Sequence, residues 1–219
     1  MIYRCVGVLL LTAMGCCFGT ARAGTCDAIV AAAEHDAARG FGGDVVVQLQ
    51  SAILTGTSTD IEAALGRLRH QPLSGAGQMG NSGVINQMLS LAALSGRVEA
   101  IDTLVAAGAS PNGEAGDHEN APLIAAAACG QVAALDALVR HGADVSERIA
   151  TVTQRNVPST PLEAAIGSGQ TAATTWLLDH RADACSDEAH SRLKNFLRSS
   201  SITSRIAGDD MKRLTCSGT

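Results

Sequence analysis

Residues 121–145 contain the pattern on which the fold turns: Ala121-Pro122-Leu123-Ile124-Ala125-Ala126-Ala127-Ala128-Cys129-Gly130, then Leu135, then Leu138-Val139-Arg140-His141-Gly142-Ala143-Asp144-Val145. Two helical stretches rich in small residues are separated by a Gly, and the second closes on Gly-Ala-Asp. Upstream the pattern recurs as Gln87-Met88-Leu89-Ser90-Leu91-Ala92-Ala93-Leu94-Ser95-Gly96, Val98-Glu99-Ala100-Ile101 and Leu104-Val105-Ala106-Ala107-Gly108-Ala109. Downstream it recurs as Thr160-Pro161-Leu162-Glu163-Ala164-Ala165-Ile166-Gly167-Ser168-Gly169, Thr175 and Leu177-Leu178-Asp179-His180-Arg181-Ala182-Asp183. Gly96 and Gly130 are 34 residues apart, Gly130 and Gly169 are 39 apart, and so the second interval carries an insertion.

Local chemistry explains the pattern. Thr160 can cap a helix whose first position is Pro161, where a missing N–H costs nothing. Gly96, Gly130 and Gly169 can take the left-handed conformation that ends the first helix and allows a tight return. Alanines at 92 and 93, 126 and 127, and 164 and 165 leave room for close helix approach, while Leu104, Leu138 and Leu177 supply apolar bulk. Neither helix of a pair can bury its face alone, so the units must stack.

These segments resemble ankyrin repeats, whose pattern is T-P-L-H-x-A-A-x-x-G followed by a second helix and G-A-D. Thr160-Pro161-Leu162, Gly142-Ala143-Asp144-Val145 and the paired alanines carry the match over residues 87–185. The resemblance implies an all-α solenoid of stacked helix-turn-helix units with short loop fingers and terminal cap helices. All three copies lack the family's His after the Leu, with Ser90, Ile124 and Glu163 in its place, and Arg181 replaces the usual Gly. The missing His removes loop-bracing hydrogen bonds that the family would supply.

A weaker copy lies in residues 47–56 and 60–65, joined to the next by the Gly- and Ser-rich stretch 71–83. It reads as a divergent first repeat. Residues 27–39 have helical spacing and stop at Gly40, which predicts an N-terminal cap helix. Ser186-Asp187-Glu188 opens a predicted helix with Leu193, Phe196 and Leu197, and residues 211–214 form a last short one. The predicted organisation is therefore a leader over 1–23, a cap and divergent repeat over 24–86, three repeats over 87–185, and a C-terminal cap over 186–219.

Residues 1–23 combine a cation at Arg4, an apolar run from Cys5 to Phe18, and Ala21-Arg22-Ala23, the features of a cleaved export signal. Gly7, Gly15 and Gly19 interrupt the run, which argues against a membrane span. Ala13-Met14-Gly15-Cys16 loosely matches a lipobox, and lipid anchoring at Cys16 is the minority alternative. Periplasmic or secreted localisation follows.

The 219 residues are 46% hydrophobic and 17% charged, too many for a disulfide miniprotein and too apolar for a disordered chain. Aromatics are only 2%, and outside the leader only Phe41, Trp176 and Phe196 remain, which excludes stacking platforms for bases or sugars. Lys and Arg number 16 against 21 Asp and Glu. Loss of Arg4 and Arg22 with the leader leaves 14 cations against 21 anions, a net charge of −7. Nucleic acid and anionic membrane surfaces are excluded as main partners.

No Gly-x-Ser-x-Gly elbow is present, and the repeat itself explains Gly167-Ser168-Gly169. The chain reads as non-enzymatic, with no cofactor and no metal. His141 and His180 occupy equivalent positions and, with Asp144 and Asp183, could be weighed as a metal pair; polar residues before Gly-Ala-Asp are common in the family, and that explanation is preferred.

Loss of the leader leaves Cys26, Cys129, Cys185 and Cys216, an even number suited to an oxidising compartment. Cys185 and Cys216 flank the C-terminal cap and are predicted to pair, stabilising it by about 3–4 kcal/mol in the loop-entropy model. Cys26 and Cys129 are harder to join, because stacked layers about 8–10 Å apart should separate them, and the sequence leaves their pairing open. Unpaired, Cys129 is an accessible thiol or a small buried side chain.

In the family, partners contact the loop tips and the concave face of the first helices. Carried over by position, this implies loops 110–120, with Glu114, Asp117 and Glu119, and 146–159, with Glu147, Arg148, Arg155 and Asn156, together with Leu94 and Ala128 on the helices. The second loop contains the insertion, and long loops in compact arrays are commonly functional. The predicted function is an exported adaptor, monomeric, that binds a protein. The alternatives are a secreted effector or immunity-type inhibitor, or less favourably an enzyme or metal protein using His141, His180 or Cys129.

Overall fold

Helix starts and stops follow from local chemistry. Thr160 is extended at φ −129°, and its side-chain oxygen accepts the Glu163 N–H at 3.2 Å while Pro161 takes the first helical position. Gly96, Gly130 and Gly169 turn the chain at φ +71°, +70° and +69°, the left-handed conformation the sequence predicts. At Thr57 a second device appears. Its N–H and hydroxyl both donate to Asp60 Oδ2 at 2.8 Å, forming a cap at the start of a helix. These bonds, the backbone one foremost, hold the Asp60 carboxyl below its ordinary range.

The structure is a computed structural model that describes residues 26, 28, 30, 31, 45–70, 81–113, 121–148, 160–185 and 190. Among the described residues, eight continuous helices form four pairs: α1 (Val45–Thr55) with α2 (Ser58–His70), α3 (Asn81–Leu94) with α4 (Val98–Ala106), α5 (Pro122–Ala128) with α6 (Val132–Arg140), and α7 (Pro161–Gly167) with α8 (Thr171–Asp179). No strand occurs among them. The first helices pack in one row, α1 on α3 on α5 on α7, and the second helices in another, α2 on α4 on α6 on α8. One apolar core runs the length of the stack, from Val45 to Ala184. Leu104, Leu138 and Leu177 are fully buried in it, and alanines 92, 93, 126, 127, 164 and 165 let the first helices approach closely.

Register between repeats is set by the residue that follows each turn. Arg97 donates from its guanidinium to Gly56 O at 2.8 Å, and Gln170 donates from Nε2 to Ala128 O at 3.3 Å. Gln131 lies against Gly96 so closely that a Cβ there would stand 2.5 Å from Gln131 Oε1, and Gly130 meets Gln170 Oε1 at the same distance. Gly56 thus takes the place in its pair that Gly96 and Gly130 take in theirs. The weak sequence copy over 47–65 is a structural unit of the stack.

Cys26 and Cys129, whose pairing the sequence leaves open and layer spacing makes difficult, form a disulfide, with Cα atoms 5.7 Å apart and a sequence separation of 103. Layer spacing would keep them apart only if Cys26 stayed in the terminal layer beside α1. The bond to Cys129 instead sets Cys26 beside the C-terminal end of α5. Cys129 is therefore not a free thiol. Cys185 is also disulfide-bonded, while Cys216, its expected partner, lies outside the described residues. So do the leader, most of the predicted N-terminal cap helix and the C-terminal segment except His190, which is helical.

Candidate functional site

The turn after each second helix is tied to the repeat before it. Asp144 donates its N–H to Asn112 Oδ1 at 2.7 Å, and Asp183 donates its N–H to Ser146 Oγ at 3.0 Å. Asn112 and Ser146 are equivalent, each two residues beyond the third position of its Gly-Ala-x turn. At the start of the series Ser110 donates its N–H to Asn86 Oδ1 at 2.9 Å. Bracing expected of the missing His thus comes from Asn86, Asn112 and Ser146. Asp144 Oδ1 accepts the Ser146 N–H, and Asp183 Oδ1 accepts the Cys185 N–H, so each Asp also closes its own turn.

Glu147 follows directly, at the root of the long loop. Its Oε2 is buried without a hydrogen-bond partner among the described residues. Burial, and secondly the charge of Asp144, push its pKa up to about 7.

Residues 89–188 match the family model of ankyrin repeats in three copies. These residues are ankyrin repeats. No curated protein matches the chain. Ankyrin repeats are a protein-interaction module, and proteins built from them are generally non-enzymatic scaffolds.

In the ankyrin stack the expected site residues fall into three groups. Glu147 and Arg148 stand at the root of the insertion loop, and Arg148 already has an interaction within the chain. Glu114, Asp117, Glu119, Arg155 and Asn156 lie outside the described residues. Leu94 and Ala128 are only 2% and 6% exposed, so neither offers surface to a partner in this state.

The residues weighed for metal or catalytic chemistry have other occupations. His141 Nε2 stands 2.6 Å from Asp102 Oδ1 of the preceding repeat. His180 stacks on Trp176 with ring centroids 3.7 Å apart, and its Nδ1 lies 2.8 Å from Trp176 O. Cys129 is bonded to Cys26. Among the described residues, no group of three or more His, Cys, Asp or Glu is placed to hold a metal ion, and no helix is long and apolar enough to cross a membrane.

Sequence reasoning missed both inter-repeat ladders. Their signal was present at the repeat period: a long polar residue after each turn Gly (Arg97, Gln131, Gln170), and a short polar residue at 112 and 146.

Proposed function

We propose that this protein is an exported, periplasmic, non-enzymatic adaptor that acts as a monomer and grips a protein partner through its loop fingers. Loop 110–120 supplies Glu114, Asp117 and Glu119, and loop 146–159 supplies Glu147, Arg148, Arg155 and Asn156. The observation that carries this reading is the hydrogen-bond ladder at the finger roots, Asn112 to Asp144 and Ser146 to Asp183. Held in register by the stack, the loop roots lose less entropy when a partner binds. Export is supported by Ala21-Arg22-Ala23, and the Cys26–Cys129 disulfide fits an oxidising compartment.

The test is a pull-down with the oxidised protein from an extract of its native cell envelope at physiological salt. One stoichiometric protein in the eluate is the expected result. An empty eluate, with capture from a foreign cell extract instead, would contradict the periplasmic adaptor and favour a secreted effector.

A further inference from the structure

Ser110, Pro111, Asn112 and Gly113 make a β-turn at the root of loop 110–120, in which Gly113 donates its N–H to Ser110 O at 2.9 Å. Serine, proline and glycine stand where such a turn favours them. Gly113 lies at φ +69°, a conformation that any side chain would strain, so the turn demands glycine directly after Asn112. The same choice leaves the Gly113 nitrogen without a Cβ beside it to obstruct its approach to the Asn112 side-chain amide. Asn112 is the one asparagine of the chain that precedes glycine.

Two hydrogen bonds occupy the groups that would react. Asn112 Oδ1 accepts the Asp144 N–H at 2.7 Å, which fixes the amide against the next repeat. The Gly113 N–H, whose proton must leave before the nitrogen can attack, is held by Ser110 O. Both residues are partly exposed, so water reaches the site.

We propose that Asn112 is a self-modifying site, converted to aspartate and isoaspartate, and that the turn and the inter-repeat bond gate the conversion. When the root opens, the Gly113 nitrogen gives its proton to solvent and bonds to Asn112 Cγ. The Cγ–Nδ2 bond breaks, and Nδ2 takes a proton from water and leaves as ammonia, closing a succinimide ring. Water then adds to either ring carbonyl and breaks its bond to nitrogen. Opening at Cγ gives aspartate, and opening at the main-chain carbonyl gives isoaspartate. Aspartate keeps an oxygen for the Asp144 N–H and adds a negative charge to the finger root. Isoaspartate routes the main chain through the side-chain carbon, which lengthens the root and moves the carboxylate off the position that Asp144 faces. The conversion needs no partner, so its failure and that of the finger-loop reading are separate.

The full oxidised chain is incubated at mildly alkaline pH, folded in buffer and unfolded in urea, and the peptide carrying Asn112 is resolved by mass and retention into amide, aspartate and isoaspartate forms. Unfolded, Asn112 should convert faster than Asn81, which precedes Ser82. Folded, it should convert at least about tenfold more slowly than unfolded, because the chemistry waits on local opening. Equal rates would overturn the gate, and no conversion in urea would overturn the site. Pro111→Ala loosens the turn without touching the reacting atoms and should raise the folded-state rate several-fold, with cooperative unfolding retained. An unchanged rate in that folded variant would overturn the gate as well. Gly113→Ala, compared in urea where the turn exerts no strain, should slow the conversion; an unchanged rate would rule out attack by the nitrogen at 113.

Discussion

Asp144 donates its backbone N–H to Asn112 Oδ1 at 2.7 Å across 32 residues and one repeat boundary. The same bond recurs one repeat later between Asp183 and Ser146. Asn112→Ala removes the acceptor and should cost about 1 kcal/mol, because the donor can turn to water at this partly exposed turn. Urea unfolding measures it; an unchanged midpoint would show that the ladder contributes nothing to the finger roots.

Gly130 has two reasons to be glycine: φ is +70°, and a Cβ would stand 2.5 Å from Gln170 Oε1. Gly130→Ala should destabilise by about 2 kcal/mol, combining backbone strain with the clash. In a Gln170→Ala background the clash disappears, and about 1 kcal/mol should remain. Equal costs in both backgrounds would deny the contact.

Arg181 stands at φ +63°, where the equivalent residues Gly108 and Gly142 are glycines at +105° and +93°. Arg181→Gly should therefore stabilise the chain by about 0.5–1 kcal/mol, the relief of left-handed strain less the added entropy of the unfolded glycine. A lower melting temperature would refute this.

Glu147 gives a pH dependence of definite sign. Its pKa is ordinarily 4.5 and rises to about 7 in the folded chain, so the folded state binds the proton more tightly. Its contribution to stability is full below pH 4.5 and is lost as pH rises through 7. Solvent screening at this half-buried site reduces the size of the effect. Glu147→Gln should flatten the stability profile between about pH 5 and 8. A variant profile as steep as the parent's would place the titration elsewhere.

Much of the stack was legible because backbone chemistry is local. Thr160 and Pro161 start a helix by their own atoms, and Gly96, Gly130 and Gly169 end one by lacking a Cβ. The Cys26–Cys129 bond was not legible, since nothing near either cysteine specifies a partner 103 residues away. Leu94 and Ala128 show a second limit. An apolar residue on a first helix has the same periodicity whether it faces a partner or is buried within the chain, and only the three-dimensional arrangement separates the two.

The most direct measurement is the affinity of the captured partner for two proteins: the parent, and a variant in which residues 147–156 are replaced by a short turn. With helical content and cooperative unfolding retained, the variant should bind at least about a hundredfold more weakly, as expected when an interface loses its anchoring side chains. Equal affinity in a folded variant would contradict the assignment of the finger loops as the partner-binding site.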